Sequence, residues 1–408
     1  DEECKSGRRY GSNAPAEFAG VCVAHDGSTG VETTTGDGST SDAVTSSTTT
    51  PDVSGTTSTS SGGDSSSSTG EPDPPTNVAF VTATTVALGE QVVADADALC
   101  AASAANAGLN GSFIAWVSTP ETSARTRLEQ SGARGWVRPD GRPIADRVAD
   151  LLAGQIWYPP VLDATGTELR SVSVLTATLD SGEASVHSCG GWQVFDGEAL
   201  FTVGAPGSTS PAWTERNNTS CEPDRPLHVY CFGTDHQTPV SFEPQPGRLA
   251  FVTANTIGAN GFVGEGQPDG LAGMDLRCQQ EASAAGHDGT FLALLGQDEA
   301  AAVQRFDLDG AAWVNALGVP IADTAAELAI REDFDTSLGF TAAGEVRGSA
   351  VWLGSNGVGA VGEGTCENWT TADPQLSSSI SIAESSTQML RGVAALCSGQ
   401  RALLCFEQ

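Results

Sequence analysis

The sequence has a single lysine, Lys5, and 19 basic side chains in all against 51 acidic ones, for a formal net charge of −32. A field of that sign repels nucleic acid and anionic membranes, and it disfavours sulfated glycans. It reads as a solvated acidic surface suited to a salty exterior. No run of about 18 or more apolar residues occurs, so no segment reads as a transmembrane helix. No Cys-x-x-Cys occurs among the 10 cysteines, which argues against zinc ribbons and thioredoxin chemistry. The five histidines, His25, His187, His228, His236 and His287, share no metal-ligand spacing. Neither a Gly-x-Ser-x-Gly elbow nor a Gly-rich phosphate loop is present. No catalytic constellation emerges, and no cofactor is expected.

What the chain does have is a cysteine order met twice. Cys189-Gly190-Gly191-Trp192 is followed by Cys221 and Cys231, and Cys366-Glu367-Asn368-Trp369 by Cys397 and Cys405. Each set has one cysteine upstream, Cys100 and Cys278. An even count in a repeated order points to disulfides and an oxidising compartment. The start at Asp1-Glu2-Glu3-Cys4 shows no leader, as expected of a mature secreted chain whose signal has been removed.

Composition divides the chain. Residues 1–24 are expected to form a small loop closed by Cys4 and Cys22. Residues 25–76 are almost entirely Ser, Thr, Gly, Asp and Pro and cannot bury enough surface to offset their ordering entropy, so a disordered linker or stalk is expected. As a coil its ends would sit on the order of 40 Å apart, and it is a candidate for O-glycosylation. Residues 77–233 and 248–408 are internal repeats, joined by a Pro-rich linker at 234–247. Ala79-Phe80-Val81-Thr82-Ala83 returns as Ala250-Phe251-Val252-Thr253-Ala254, and Pro143-Ile144-Ala145-Asp146 returns as Pro320-Ile321-Ala322-Asp323. Trp136 answers Trp313, and Trp192 answers Trp369.

Each repeat opens on a strand at Phe80 or Phe251. An Ala-rich helix follows, with Cys100, Ala104 and Ala107 on one face and Gly108 just past its end. Cys278, Ala282, Ala285 and Gly286 repeat that pattern. A second helix is expected to start with Ser118 or Thr119 as its cap and Pro120 at the first position. A long irregular middle precedes a closing strand at His228–Phe232 or Leu403–Phe406.

Four cysteines allow three connectivities in each repeat. The favoured one joins the helix to the closing strand and closes the loop after Cys-x-x-Trp. It gives Cys100–Cys231 with Cys189–Cys221, and Cys278–Cys405 with Cys366–Cys397.

This layout resembles the C-type-lectin-like fold, and more narrowly its endostatin-like branch as found in bacterial secreted and surface lipoproteins. The resemblance covers both repeats. It rests on the Phe-Val-Thr entry strand, the Cys-x-x-Trp, and Val351-Trp352-Leu353-Gly354, where the first repeat departs with Val174-Leu175-Thr176-Ala177. It implies an α+β fold: two lectin-like domains after the stalk, each with two helices, a small antiparallel sheet and long loops.

Sugar-binding members of that fold hold calcium through a Glu-Pro-Asn or Gln-Pro-Asp before the second cysteine. Neither repeat has one there. Gln267-Pro268-Asp269 lies upstream of Cys278 and reads as a turn, as does Asp307-x-Asp309-Gly310, so calcium in the usual lectin site is not expected. Trp192 and Trp369 should pack on the disulfides. Trp157 and Trp213 have no repeat partner and are candidate stacking platforms for a sugar ring. Glu363, Glu367 and Asn368 around Cys366 complete the candidate ligand residues. The expected function is a non-catalytic binding or adhesion protein, secreted or held at the cell surface by a lipid anchor, with a glycan or a protein as ligand. A second reading is a self-assembling surface or filament component. A surface-glycan hydrolase ranks last.

Overall fold

The computed structural model describes residues 75–223, 225–330, 333–362, 364–386 and 393–408, with the backbone of Gly7–Arg9 and Cys22–Ala24, two short strands that pair antiparallel. The expected Cys4–Cys22 bridge, and all but residues 75–76 of the expected disordered segment at 25–76, lie outside the described residues. Both repeats are mixed α+β and belong to one compact unit.

The first repeat is built on two buried strands. Asn77–Val81 runs antiparallel to the closing strand His228–Gly233, with Phe80 opposite Cys231. The closing strand's other edge takes Phe113–Ala115 antiparallel and Val174–Leu175 parallel. The sheet then continues antiparallel through Leu200–Gly204 and Asn217–Ser220. Trp136–Val137 extends the opposite side in parallel register. The sheet is therefore mixed and not purely antiparallel. Alternation along Ala79-Phe80-Val81 sends Phe80 into one core with Cys100, Leu175 and Trp192, and Ala79 and Val81 into another with Trp136, Trp213 and Phe232. Both faces are covered, which explains why the strand carries no polar side.

The second repeat copies this frame. Arg248–Val252 pairs with Leu404–Glu407, Phe251 opposite Cys405, and Phe291–Ala293 takes the other edge. Ala350–Trp352, Ser377–Ile382 and Val393–Leu396 form a separate ladder that answers the outer strands of the first repeat.

The first long helix, Val92–Asn106, buries Val92, Ala96, Cys100 and Ala104, spaced four apart, and Gly108 follows it at φ 74°. Its copy is Gly270–Ala284, with Cys278 and Ala282 buried. The expected second helix starts later than Pro120, at Ala124–Ser131, capped by Ser123, whose side chain accepts from Thr126 N. Thr119 to Thr122 close a turn first, Thr122 N donating to Thr119 Oγ1 at 3.0 Å, and Ser118 Oγ accepts from Ala124 N. Competing hydroxyl–backbone bonds delay the helix. The second repeat has a 3-10 turn there, Ala302–Arg305, in place of an α-helix.

Four disulfides staple the frame: Cys100–Cys231, Cys189–Cys221, Cys278–Cys405 and Cys366–Cys397. This is the nested pairing favoured from the sequence. The two long bridges close separations of 131 and 127 residues, each contributing about 4–5 kcal/mol on the chain-entropy estimate.

Residues 234–247 do not stand free between the repeats. His236 exchanges bonds with Asn77, Val240 N donates to Asp146 Oδ1 at 2.9 Å, and Gln245 N donates to Gly318 O at 2.9 Å. Phe242 packs on the rings of Trp157 and Tyr158. The repeats also touch directly. Arg142 binds Asp335 at 2.9 Å and Asp323 at 3.1 Å, Arg170 Nη1 donates to Phe334 O, and Thr336 Oγ1 donates to Trp157 O.

Candidate functional site

The Cys-x-x-Trp segments fold into left-handed helical turns. Cys189 through Trp192 and Cys366 through Trp369 all have positive φ, between 51° and 72°. Each turn is capped from the preceding hydroxyl residue: Ser188 Oγ accepts from Gly191 N, and Thr365 Oγ1 from Asn368 N at 2.9 Å. The cysteine is locked into the core by its disulfide. The tryptophan is pinned by its indole, Trp192 Nε1 donating to Ser118 O at 3.1 Å and Trp369 Nε1 to Gly296 O at 2.8 Å. Bridge and indole thus fix both ends of the turn; of the middle residues Gly190, Glu367 and Asn368 are exposed and Gly191 is half-buried.

Those middle residues differ between the repeats. The first has Gly190-Gly191, for which a left-handed conformation carries no Cβ penalty. The second has Glu367-Asn368 at φ 54° each, and L-residues there cost about 1–2 kcal/mol apiece. Part of that is offset by a brace. Asn368 Oδ1 accepts from Asp298 N at 2.9 Å, Asn368 Nδ2 donates to Asp298 Oδ2 at 2.8 Å, and Thr365 Oγ1 donates to Asp298 Oδ1. Asn also tolerates this conformation better than most residues. Glu367 has no such excuse. It is exposed, and among the described residues its carboxylate makes no hydrogen bond or ion pair. Asp298, Glu367 and Asn368 together form an exposed polar surface able to accept hydrogen bonds from a ligand. Glu363 lies outside the described residues.

The other candidates sit elsewhere. Trp213 is fully buried, with Nε1 donating to Leu151 O at 3.0 Å and its ring against Trp116 and Tyr230, so no face is open to a sugar. Trp157 is half-buried at the boundary of the repeats, against Phe242. Gln267-Pro268-Asp269 forms the turn leading into Gly270–Ala284. Asp307 and Asp309 form another, with Asp309 N donating to Asp307 Oδ1. His228 Nδ1 and His287 Nε2 lie 2.7 and 2.8 Å from the carbonyls of Thr82 and Ala342. Among the described residues no group of three or more His, Cys, Asp or Glu is placed to hold a metal ion.

Sequence reading missed a duplicated clamp behind the turns. Asp97 on the first helix accepts from Ala115 N and pairs with Arg127, whose Nη1 donates to Ala115 O. Asp275, Ala293 and Arg305 repeat this in the second unit. The signal was present: in both repeats the arginine follows the aspartate by 30 positions. A charge-assisted triangle of this kind fixes helix, strand and following turn together.

Comparison with known proteins finds no family model that matches the chain and no curated protein similar to it.

Proposed function

We propose that the chain is a secreted or surface-held binding protein that presents C-type-lectin-like modules to a glycan or protein ligand, without catalysis. The observation that carries this reading is Glu367-Asn368. Two side-chain-bearing residues are kept at positive φ on an exposed turn where the sister repeat manages with two glycines. Strain of this sort collects at sites with a task. The entry strand, long helix, closing strand and nested disulfides in each repeat support the lectin-like reading. The four disulfides support an oxidising location. No helix among the described residues is long and apolar enough to cross a membrane. The hydrolase reading needs a carboxyl raised to act as an acid. Among the described residues, Asp140, Asp146, Asp196 and Glu222 are held below the ordinary carboxylate range, the opposite direction.

The test is a glycan array and a surface-protein pull-down with the full chain beside Glu367→Gly and Asn368→Gly. Binding that falls at least tenfold in a variant that keeps its fold supports the site. A ligand bound equally by all three removes the turn from the reading, and no ligand in either assay removes the binding role.

A further inference from the structure

The contact between the repeats has a symmetry that the Cys-x-x-Trp frame exposes. Cys366 follows Cys189 by 177 positions, and Ser385 follows Ser208 by the same step. Ser208 and Ser385 pair with each other as an antiparallel bridge. A residue that meets its own counterpart lies near a two-fold axis relating the copies. Further contacts between the repeats cluster around that point. Arg142, beside Pro143-Ile144-Ala145-Asp146, binds Asp323 at the end of the copied tetrapeptide. Ser386 N donates to Gly207 O at 2.7 Å, and Ser208 Oγ to Glu384 O at 2.9 Å. Thr209 meets Ser337 through their hydroxyls. Thr209, Ser210, Thr336, Ser337 and Ser386 are all buried there.

The charges break that symmetry. The first repeat contributes Arg142, and the equivalent position of the second is Val319. The second contributes Asp323 and the buried Asp335 to meet Arg142. Two first repeats facing each other would set Arg142 towards Asp146, which Arg134 and Val240 N already occupy. Two second repeats would leave their acids facing Val319. We infer that the tandem is a linked internal dimer: this face of each repeat is a docking surface for the other repeat, and Arg142 selects first-against-second pairing. The two left-handed turns are then carried as a fixed pair, and this face is closed to ligand. The inference does not depend on the ligand reading.

The test uses the full chain with a protease site inserted after Glu243, an exposed linker position. After cleavage the two halves, each locked by its own disulfides, should co-elute on size exclusion. Arg142→Glu in the cleaved protein should weaken their association at least tenfold, with the disulfide map and circular dichroism unchanged. Halves that separate as soon as the linker is cut overturn the inference, as does an Arg142→Glu protein that associates as tightly as the parent. In uncut protein, Ser208→Cys with Ser385→Cys should give an intrachain crosslink on a monomer. Crosslinks found only between chains would overturn the internal pairing.

Discussion

Ala177 and Gly354 occupy the same turn of the two repeats, and both have positive φ, 44° and 74°. They differ in what lies above. A Cβ on Gly354 would fall 2.4 Å from Cζ2 of Trp369. Gly354→Ala should therefore push the indole off its bond to Gly296 O and destabilise the second repeat by about 2 kcal/mol or more. Ala177→Gly relieves a left-handed alanine but removes a buried methyl, two effects of about 1 kcal/mol with opposite sign. It should be close to neutral. Urea unfolding of both variants checks the asymmetry.

Glu367→Gly should leave the protein as stable as the parent or up to about 1 kcal/mol more stable, because it removes a Cβ from a left-handed position on an exposed turn. Glu367→Val should cost about 2 kcal/mol, since β-branched residues fit that conformation worst. A thermal melt of the pair reads this. Lost ligand binding in a Glu367→Gly protein of undiminished stability would separate the residue's task from its fold.

The clamp predicts a matched pair of effects. Asp275→Ala removes the acceptor for Ala293 N and leaves Arg305, largely buried, without its carboxylate. A loss of about 2–3 kcal/mol is expected. Asp97→Ala should behave alike in the first repeat. A variant that unfolds at the parent's urea midpoint would show the clamp to be ornamental.

Stability should fall in acid through Asp146. Burial works to raise its carboxyl, but the Arg134 hydrogen bond, the Val240 amide and nearby arginine charge outweigh it and hold the group below the ordinary value of 3.8. Asp140 is held low in the same way by Arg138 against its burial. A depressed folded value means a contribution present in full above about pH 4 and lost as pH drops through the folded value. Asp146→Asn should flatten the decline of the urea midpoint below about pH 4, where the parent's linker contact fails.

Much of this frame was legible in the residues. The four described bridges are the connectivity favoured from the sequence among the three that four cysteines allow in each repeat. The delayed second helix was not legible: Ser118, Thr119, Thr122 and Ser123 are all plausible caps, and only the fold decides which hydroxyl takes which amide. The left-handed turns were hidden for a related reason. Gly190-Gly191 hints at positive φ, but Glu367-Asn368 argues against it, and the conformation is imposed by the disulfide on one side and the tryptophan on the other. Trp213 and Trp157 looked free because they lacked counterparts. The environment of each is a departure from the repeat, and departures carry no periodic signal.

The bridge between Cys278 and Cys405 also decides how the second repeat would yield to force. Pulled at Arg248 and Glu407, an unbridged chain would pay out about 550 Å of contour. With that bond closed, only the stretch before Cys278 and the few residues after Cys405 can extend, about 110 Å, and the loop between stays shielded from load. A module loaded through its ends would behave as a short, stiff tether whose interior keeps its shape under tension.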